Sequence, residues 1–119
     1  GVQYARTRQQ FGKAISKFQG VSHKLADFKV QLECARLLTY RAATKLEKTR
    51  GVAFDAAMVK LFVSESLVKG ALDVLQVFAG YGYATEYEIE REVRDAIGSR
   101  IYSGTSDMQR NTIAAWMGL

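Results

Sequence analysis

Apolar residues recur along most of the chain at steps of three and four positions, which is the spacing of one face of an α-helix. The first stripe of this kind consists of Val21, Leu25, Phe28, Leu32, Ala35, Leu38, Ala42 and Leu46. It covers about eight turns and stops at Gly51, a residue type that commonly caps helix C-termini. The pattern therefore predicts one long helix that ends at this glycine.

A second stripe predicts another long helix further along the chain. It consists of Phe54, Met58, Leu61, Val68, Leu72, Leu75 and Ala79. The pattern stops at Gly80-Tyr81-Gly82, which we interpret as a turn. Because only a short loop separates the two stripes, the two helices are expected to pack antiparallel.

Two capping motifs predict shorter helices in the last third of the chain. Thr85-x-x-Glu88 and Ser106-x-x-Gln109 both have the form of a capping box. They indicate helices at about 86–98 and about 106–117. The fold class is therefore expected to be all-α, with an antiparallel four-helix bundle in a single domain that covers residues 1–119. Residues 1–8 look like the end of an earlier helix without a cap, so the chain is expected to begin inside a larger protein.

Composition and charge narrow the class of protein. A chain of 119 residues that is 48% hydrophobic can form one globular core. The net charge of +5 comes from basic residues scattered among acids, a pattern that argues against nucleic-acid binding. A lone cysteine cannot form an internal disulfide, and no signal peptide or apolar run of about 18 residues is present. We expect a protein without a membrane span, in the cytoplasm or, in a eukaryote, the mitochondrial matrix.

Most single residues of chemical interest have a plain structural interpretation. The sequence has no metal-ligand spacing and no glycine-rich phosphate loop. His23 is most simply a surface residue and Cys34 a packing residue. Glu65 lies on the apolar stripe of the second long helix, where an unpaired carboxylate would be costly. It is therefore expected to pair with a cation or to reach a subunit boundary, and the ion pair is the simpler of the two.

Three short segments carry more chemical information than the rest. The segment 8–12 places a guanidinium, suited to phosphate, and a phenyl ring, suited to a flat heterocycle, beside a glycine turn. The segment 76–83 ends a helix with an amide side chain and aromatic rings. The segment 101–110 leads into a helix N-terminus, where N–H groups and a hydroxyl suit an anionic or oxygen-rich ligand. By themselves the first two segments are more simply a surface loop and a helix C-cap, and the third is also consistent with N-capping by Thr105 or Ser106.

Together and in this order, five motifs resemble the C-terminal domain of the acyl-CoA dehydrogenase family. They are Arg8-x-x-Phe11-Gly12, Phe18-Gln19, Gln76-x-Phe78-x-Gly80-x-Gly82, Arg91-x-x-Arg94-Asp95 and Ile101-Tyr102-x-Gly104-Thr105-Ser106-x-x-Gln109-Arg110. The resemblance spans essentially the whole chain. It favours a ligand-binding role for Arg8 and Gln76 over the plain interpretations given above.

The resemblance implies a bundle that follows an N-terminal helical domain and a middle β-domain, neither of which is in this chain. It also implies a homo-oligomer, a dimer or tetramer, with FAD at the subunit boundary. The residues that match positions contacting the FAD of the neighbouring subunit are Arg8, Phe11, Gln76 and Gly80, with Gln19 a weaker match. Thr105 and Asp107 match positions near the chain's own flavin.

The implied reaction is α,β-dehydrogenation of an acyl-CoA thioester, with the electrons passed on to an acceptor flavoprotein. A carboxylate takes the α-proton while the β-hydrogen leaves as hydride to the flavin. The resemblance assigns the substrate contact to the turn at Ser103 and Gly104, where the backbone N–H of Ser103 donates to the thioester oxygen. The isolated domain is expected to fold but to be inactive.

The chain departs from the commonest family pattern at two positions. Ser103 stands where the family usually has the glutamate that acts as base, and a neutral serine cannot take that role. The base would then lie on the helix upstream of this chain, or the chain would be a base-lacking partner in a mixed oligomer. A non-catalytic helical interaction module is the competing interpretation. Ala79 stands where glycine is frequent, which adds a methyl group near the expected FAD turn.

Overall fold

The computed structural model describes residues 1–45 and 52–119. Its helices are α1 (Val2–Thr7), α2 (Gln19–Lys45), α3 (Val52–Phe78), α4 (Gly80–Tyr83), α5 (Ile89–Ser99) and α6 (Ser106–Trp116). A two-residue hairpin, β1 (Gln9–Gln10) paired antiparallel with β2 (Lys13–Ala14), and short 3-10 turns at Ile15–Lys17 and Thr85–Tyr87 complete the order. The all-α fold class is confirmed. The four-helix bundle stays a prediction. The helices pack around α3, which contacts α2, α5 and α6.

The two long helices run antiparallel, as predicted. Lys24 near the start of α2 binds Asp73 near the end of α3 at 2.9 Å. At the opposite end, Arg41 and Lys45 bind Asp55 at 3.1 and 3.0 Å, and the Asp55 side chain is only 5% exposed. Paired cations are what a buried carboxylate requires. The predicted end of the first helix, at Leu46 and Gly51, lies outside the described residues.

Gly70 of α3 packs directly against the ring of Phe28 on α2. An ideal Cβ at this position would overlap three ring atoms of Phe28 on α2. Gly70 is buried in the middle of α3, where glycine is otherwise a poor helix former. Its value to the fold is therefore the space that it leaves for the phenyl ring.

The hydrophobic core is thin. Ala5, Ile15 and Val77 form a buried cluster near α1, and none of the described residues of α2 is buried. The other buried apolar residues are Ala57, Val68, Phe78 and Ala96. Large apolar side chains instead remain exposed on α2, including Leu37 at 69% and Tyr40 at 64%. Apolar surface on this scale is typical of a face that further protein covers.

Both predicted capping boxes are wrong. Residues 85–87 form a 3-10 turn, and α5 starts only after Glu88, which has a φ of 57° and no side-chain capping bond. At α6 the cap is Thr105, whose hydroxyl accepts from the Met108 N–H at 3.3 Å. Ser106, which heads the predicted capping box, is the first helical residue and donates its hydroxyl to Glu65. Of the two caps expected at this helix, Thr105 and Ser106, the structure forms the one at Thr105, although serine is on average the slightly better capping residue.

Two further expectations are corrected. The Gly80-Tyr81-Gly82 segment is not a turn but part of helix α4, because the change of direction takes place at Ala79. Gly82 instead permits close packing, since a Cβ there would lie 2.7 Å from the Leu75 carbonyl oxygen. Cys34 is exposed and not a packing residue, because it lies on α2, whose described residues are all at least partly exposed. His23 is exposed, as expected of a surface residue.

Candidate functional site

The first two of the three informative segments meet in one cavity of about 780 Å³. Arg8 and Phe11 line it from the side of the hairpin, and Gly80 and Tyr81 line it from α4. These positions are about 70 residues apart in sequence, so only the fold brings them together. The floor is aromatic and aliphatic, with Tyr4 stacked on Phe78 at 3.9 Å, next to Ile15, Phe18, Val21 and Val77.

The other two predicted residues of this group lie elsewhere. Gln76 is exposed on the last turn of α3, one turn before Gly80, and Gln19 is exposed at the start of α2. Neither is among the residues that line the cavity. Their distance from a ligand in the cavity therefore depends on how far that ligand extends beyond it.

The tip of the hairpin holds Phe11 out into solvent. Its side chain is 89% exposed and its φ is 50°, followed by Gly12 with a φ of 76°. Two central residues with positive φ are typical of a type I′ hairpin turn, whose twist matches that of the strands. Glycine adopts this conformation readily, whereas a phenylalanine does so at some cost. The ring touches Phe18 edge-on, with centroids 6.1 Å apart, and stands at the rim of the cavity.

Arg8 lies beside the cavity with its cationic group over an aromatic ring. The guanidinium carbon is 5.1 Å from the centroid of Tyr81, a cation–π distance. Its backbone is fixed, because the Arg8 carbonyl accepts from the Ile15 N–H at 2.9 Å. No carboxylate of the described residues forms an ion pair with this side chain, so its charge is available to an anion.

Ala79 carries strained backbone at the edge of this cavity. Its φ of 52° with a ψ of −133° lies in a region that residues with a Cβ rarely adopt. Glycine would adopt it freely. Ala79→Gly is therefore expected to raise the free energy of unfolding by about 1 kcal/mol, the strain relieved minus the added flexibility of the unfolded chain. Urea denaturation of the 119-residue chain followed by circular dichroism measures the change.

Ala84 provides the control for this substitution. It has an ordinary extended backbone, with a φ of −82°. Ala84→Gly should therefore lower the free energy of unfolding by roughly 0.5–1 kcal/mol, through unfolded-state entropy alone. If both glycine variants were destabilised equally, Ala79 would not be strained.

The third segment forms a tight turn between α5 and α6. Ser103 and Gly104 have positive φ values of 56° and 87°. The Gln109 side-chain amide donates to the carbonyl oxygens of both residues, each at 3.2 Å. Gly104 is required for its conformation; a Cβ there would lie 2.7 Å from that amide nitrogen and would displace the end of the Gln109 side chain.

The predicted residues of the third segment face two different surfaces. Thr105 and Asp107 line a cavity of about 330 Å³ together with Ile97, Arg100, Ile101, Ser106 and Arg110. Asp107 is 89% exposed and forms a salt bridge with Arg110 at 2.9 Å. Ser103 and Tyr102 instead line a groove of about 490 Å³ between α2 and α3. None of these residues lines the cavity at Arg8.

Glu65 forms the ion pair that its position on the apolar stripe predicted. It binds Arg100 Nε at 3.0 Å and lies 3.9 Å from Arg110 Nη2. It also accepts a hydrogen bond from the Ser106 hydroxyl at 2.7 Å. That hydrogen bond is the largest influence that holds the pKa of Glu65 below that of an ordinary glutamate; burial acts against it, and the two arginines add to it. The link to Ser106 was missed in the sequence, where the only signal was an acid among apolar residues.

The described residues contain no group of three His, Cys, Asp or Glu side chains that could hold a metal ion. None of the described helices combines the length and the apolar character that crossing a membrane requires.

The family model for the acyl-CoA dehydrogenase C-terminal domain matches residues 1–118. An L-prolyl-[peptidyl-carrier protein] dehydrogenase of a Serratia species is 44% identical over 99% of the chain. The solved structure of butyryl-CoA dehydrogenase from Megasphaera elsdenii is similar with a TM-score of 0.94 and 40% identity over 99% of the chain. The FAD complex of PigA is similar with a TM-score of 0.94 and 44% identity, also over 99%. The chain covers 31% of the length of each of these three proteins.

Proposed function

The chain belongs to the acyl-CoA dehydrogenase family as its C-terminal domain, and on that premise we propose that the whole protein dehydrogenates the α,β-bond of a thioester with FAD as hydride acceptor. The observation that carries the proposal is the shared cavity. Three residues that the motifs assign to FAD, namely Arg8, Phe11 and Gly80, line it together. They come from two segments far apart in sequence, which the Tyr4–Phe78 stack and the Arg8–Tyr81 contact hold side by side.

The residues of this cavity fit a dinucleotide such as FAD. Arg8 offers a guanidinium without a carboxylate partner among the described residues, which suits a pyrophosphate. Phe11 presents an exposed ring, which suits a flat heterocycle. At Gly80 an added Cβ would meet nothing within 4 Å, so the backbone there is open to close approach. When bound, FAD supplies the hydride acceptor, and these residues hold and orient it.

The thioester is proposed to contact the turn at Ser103 and Gly104. The backbone N–H of Ser103 would donate to the thioester oxygen and stabilise the enolate that develops during proton removal. The positive φ values and the Gln109 amide hold this turn in shape. Thr105 and Asp107, next along the chain, are proposed to lie near the same subunit's flavin. The carboxylate base is proposed to lie outside this chain, since Asp107 is exposed and paired with Arg110.

A homo-oligomer, dimer or tetramer, is part of the proposal. FAD at a subunit boundary would explain why Arg8 and Phe11 face outward, and why Gln76 and Gln19 lie beside the cavity and not in it. Exposed apolar residues on α2 support an oligomer as well. Two buried polar atoms, Gln31 Oε1 and Lys60 Nζ, find no hydrogen-bond partner within residues 1–45 and 52–119, which also supports partners supplied by further protein.

The chemical class of the substrate is proposed more broadly than acyl-CoA alone. A relative at 44% identity is named for a prolyl group on a peptidyl-carrier protein, whereas the Megasphaera elsdenii structure is a butyryl-CoA dehydrogenase. Both names are those of dehydrogenases, one for a carrier-protein substrate and one for a CoA substrate. Mixing the flavin-loaded whole protein with butyryl-CoA and, separately, with a prolyl carrier-protein thioester distinguishes them, because bleaching of the flavin absorbance reports hydride transfer. An acceptor flavoprotein would then reoxidise the reduced flavin. The reaction is proposed to take place in the cytoplasm or, in a eukaryote, in the mitochondrial matrix.

The FAD assignment predicts the effect of Arg8→Ala in the whole protein. Loss of a charge-assisted hydrogen bond to phosphate costs roughly 1.5–3 kcal/mol, so FAD occupancy at limiting FAD should fall about ten-fold or more. Arg6→Ala is the matched control, because it removes the same charge from an exposed side chain two residues earlier. Flavin absorbance after dilution and gel filtration measures the occupancy of the two variants.

Three results would count against these assignments. Equal FAD affinity in Arg8→Ala and Arg6→Ala would remove Arg8 from the site. A whole protein that purifies without flavin and takes up none would support the alternative of a non-catalytic helical interaction module. A flavin-loaded protein that no thioester bleaches would support a base-lacking partner subunit in a mixed oligomer.

A further inference from the structure

A single carboxylate oxygen on α3 holds both ends of the turn between α5 and α6. Glu65 Oε1 accepts from Arg100 Nε at 3.0 Å, and from Ser106 Oγ at 2.7 Å. Arg100 is the last residue before the turn, and Ser106 is the first residue after it. The two ends are also joined directly, because the Ser106 N–H donates to the Arg100 carbonyl oxygen at 3.1 Å.

These bonds are of the strong kind. Both involve an ionised acceptor, and the Arg100 bond has an ionised donor as well. Ser106 is 7% exposed, so water competes little for its hydroxyl. The lowered pKa of Glu65 keeps the carboxylate charged throughout the neutral range.

The Ser103–Gly104 part of the turn depends on the bonds that Glu65 makes with Arg100 and Ser106. Ser103 and Gly104 both have positive φ, and a non-glycine residue in that region costs about 1–3 kcal/mol unless its surroundings hold it there. Gln109 ties the two carbonyl groups to α6, but it moves with α6 and so does not fix the turn relative to α3. The bonds of Glu65 supply that link.

We propose that Glu65 is a positioning residue that fixes the Ser103–Gly104 turn against α3, so that the Ser103 N–H meets the thioester oxygen. The role goes beyond the ion pair itself and rests on the function proposed above. Donors of this type act only when they are placed correctly, and a displacement of about 1 Å can lower a rate about a hundred-fold. Glu65 does not touch the substrate; it acts through Arg100 and Ser106.

The experiment compares three variants of the flavin-loaded whole protein. Glu65→Ala removes the acceptor, whereas Glu65→Gln keeps a side-chain oxygen for both donors. Glu33→Gln is the matched control, because Glu33 bridges Lys29 and Arg36 on the surface of α2, away from the turn. Hydrogen exchange of peptides that cover residues 100–109 reports the turn directly, and steady-state kinetics with butyryl-CoA or the preferred thioester reports its effect on the reaction.

Glu65→Ala is expected to speed exchange in residues 100–109 and to lower kcat about ten- to a hundred-fold, with little change in KM or FAD content. Glu65→Gln should restore most of the protection from exchange and most of kcat. Glu33→Gln should match the unmodified protein in both measurements. Unchanged exchange in Glu65→Ala would overturn the proposal whatever the kinetics show. Faster exchange with an unchanged kcat would overturn it as well. If the unmodified protein has no dehydrogenase activity, the proposed function fails, and the exchange result still decides whether Glu65 fixes the turn.

Discussion

Replacing Gly70 with alanine should destabilise the domain by about 1–3 kcal/mol or more, the usual cost of forcing an extra carbon into a packed interior. The new Cβ would overlap the ring of Phe28, where the two long helices pack together. Helix propensity alone predicts the opposite sign, because alanine is favoured over glycine in a helix by about 1 kcal/mol. The direction of the change therefore tests the helix packing and not the helix itself.

Urea denaturation of the 119-residue chain measures this effect against two comparisons. Gly20→Ala, in the first turn of α2, adds a methyl group that meets nothing within 4 Å, so it should be neutral or stabilising by up to about 1 kcal/mol. In a Phe28→Ala background the extra cost of Gly70→Ala should shrink, with a coupling of about 0.5–3 kcal/mol. Equal stability of Gly70→Ala and the unmodified chain would mean that the helices lie further apart than described.

Ser103→Glu should produce the largest change in activity. It puts a carboxylate at the position where the family commonly has its base. The backbone tolerates the change, since Ser103 has a φ of 56° and Glu88 in this same chain has 57°. In a base-lacking protein, general-base catalysis of this kind should speed flavin reduction about 10²–10⁴-fold. In a protein with an upstream base, the second carboxylate should raise the pKa of that base and shift the pH–rate profile to higher pH.

The matched test is Asp107→Asn, because Asp107 is the nearest acid to this turn along the sequence. Its side chain is exposed and bound to Arg110, so the flavin-loaded fraction of this variant should still be reduced by thioester. Stopped-flow absorbance at the flavin band measures reduction in each variant. Loss of reduction in Asp107→Asn with FAD still bound would make Asp107 the base, and the proposal of an upstream base would be wrong.

The sequence predicted the helices better than their ends. The stripes behind α2 and α3 are long enough for periodicity to be unambiguous, and the antiparallel arrangement follows from the short connection. The caps failed for a local reason, since Thr105 and Ser106 are adjacent and have the same capping chemistry. The positive φ at Ala79, directly before a glycine that would adopt it more easily, has no signal in the sequence.

The sequence predicted which residues belong to the candidate site, but not how those residues are arranged in space. Motif resemblance assigned Arg8 and Gly80 to one cofactor, but nothing in the sequence brings residues so far apart to one cavity. Glu65 shows the opposite case. An acid on an apolar stripe predicted a cation, and Arg100 is that cation, but the bond to Ser106 required the three-dimensional packing of α3 against α6.

The turn between α5 and α6 also bears on how the protein can evolve. Its shape depends on Glu65, Arg100, Gln109 and Gly104, whereas Ser103 contributes its backbone and an exposed side chain. A mutation at position 103 therefore breaks no side-chain hydrogen bond among the described residues, but the φ of 56° favours residue types that tolerate this conformation. A lineage can lose an acidic side chain at this place and keep the backbone N–H that we propose donates to the thioester oxygen, or regain the acid later. The acidic side chain can therefore lie on different elements of the fold in different lineages while the reaction stays the same.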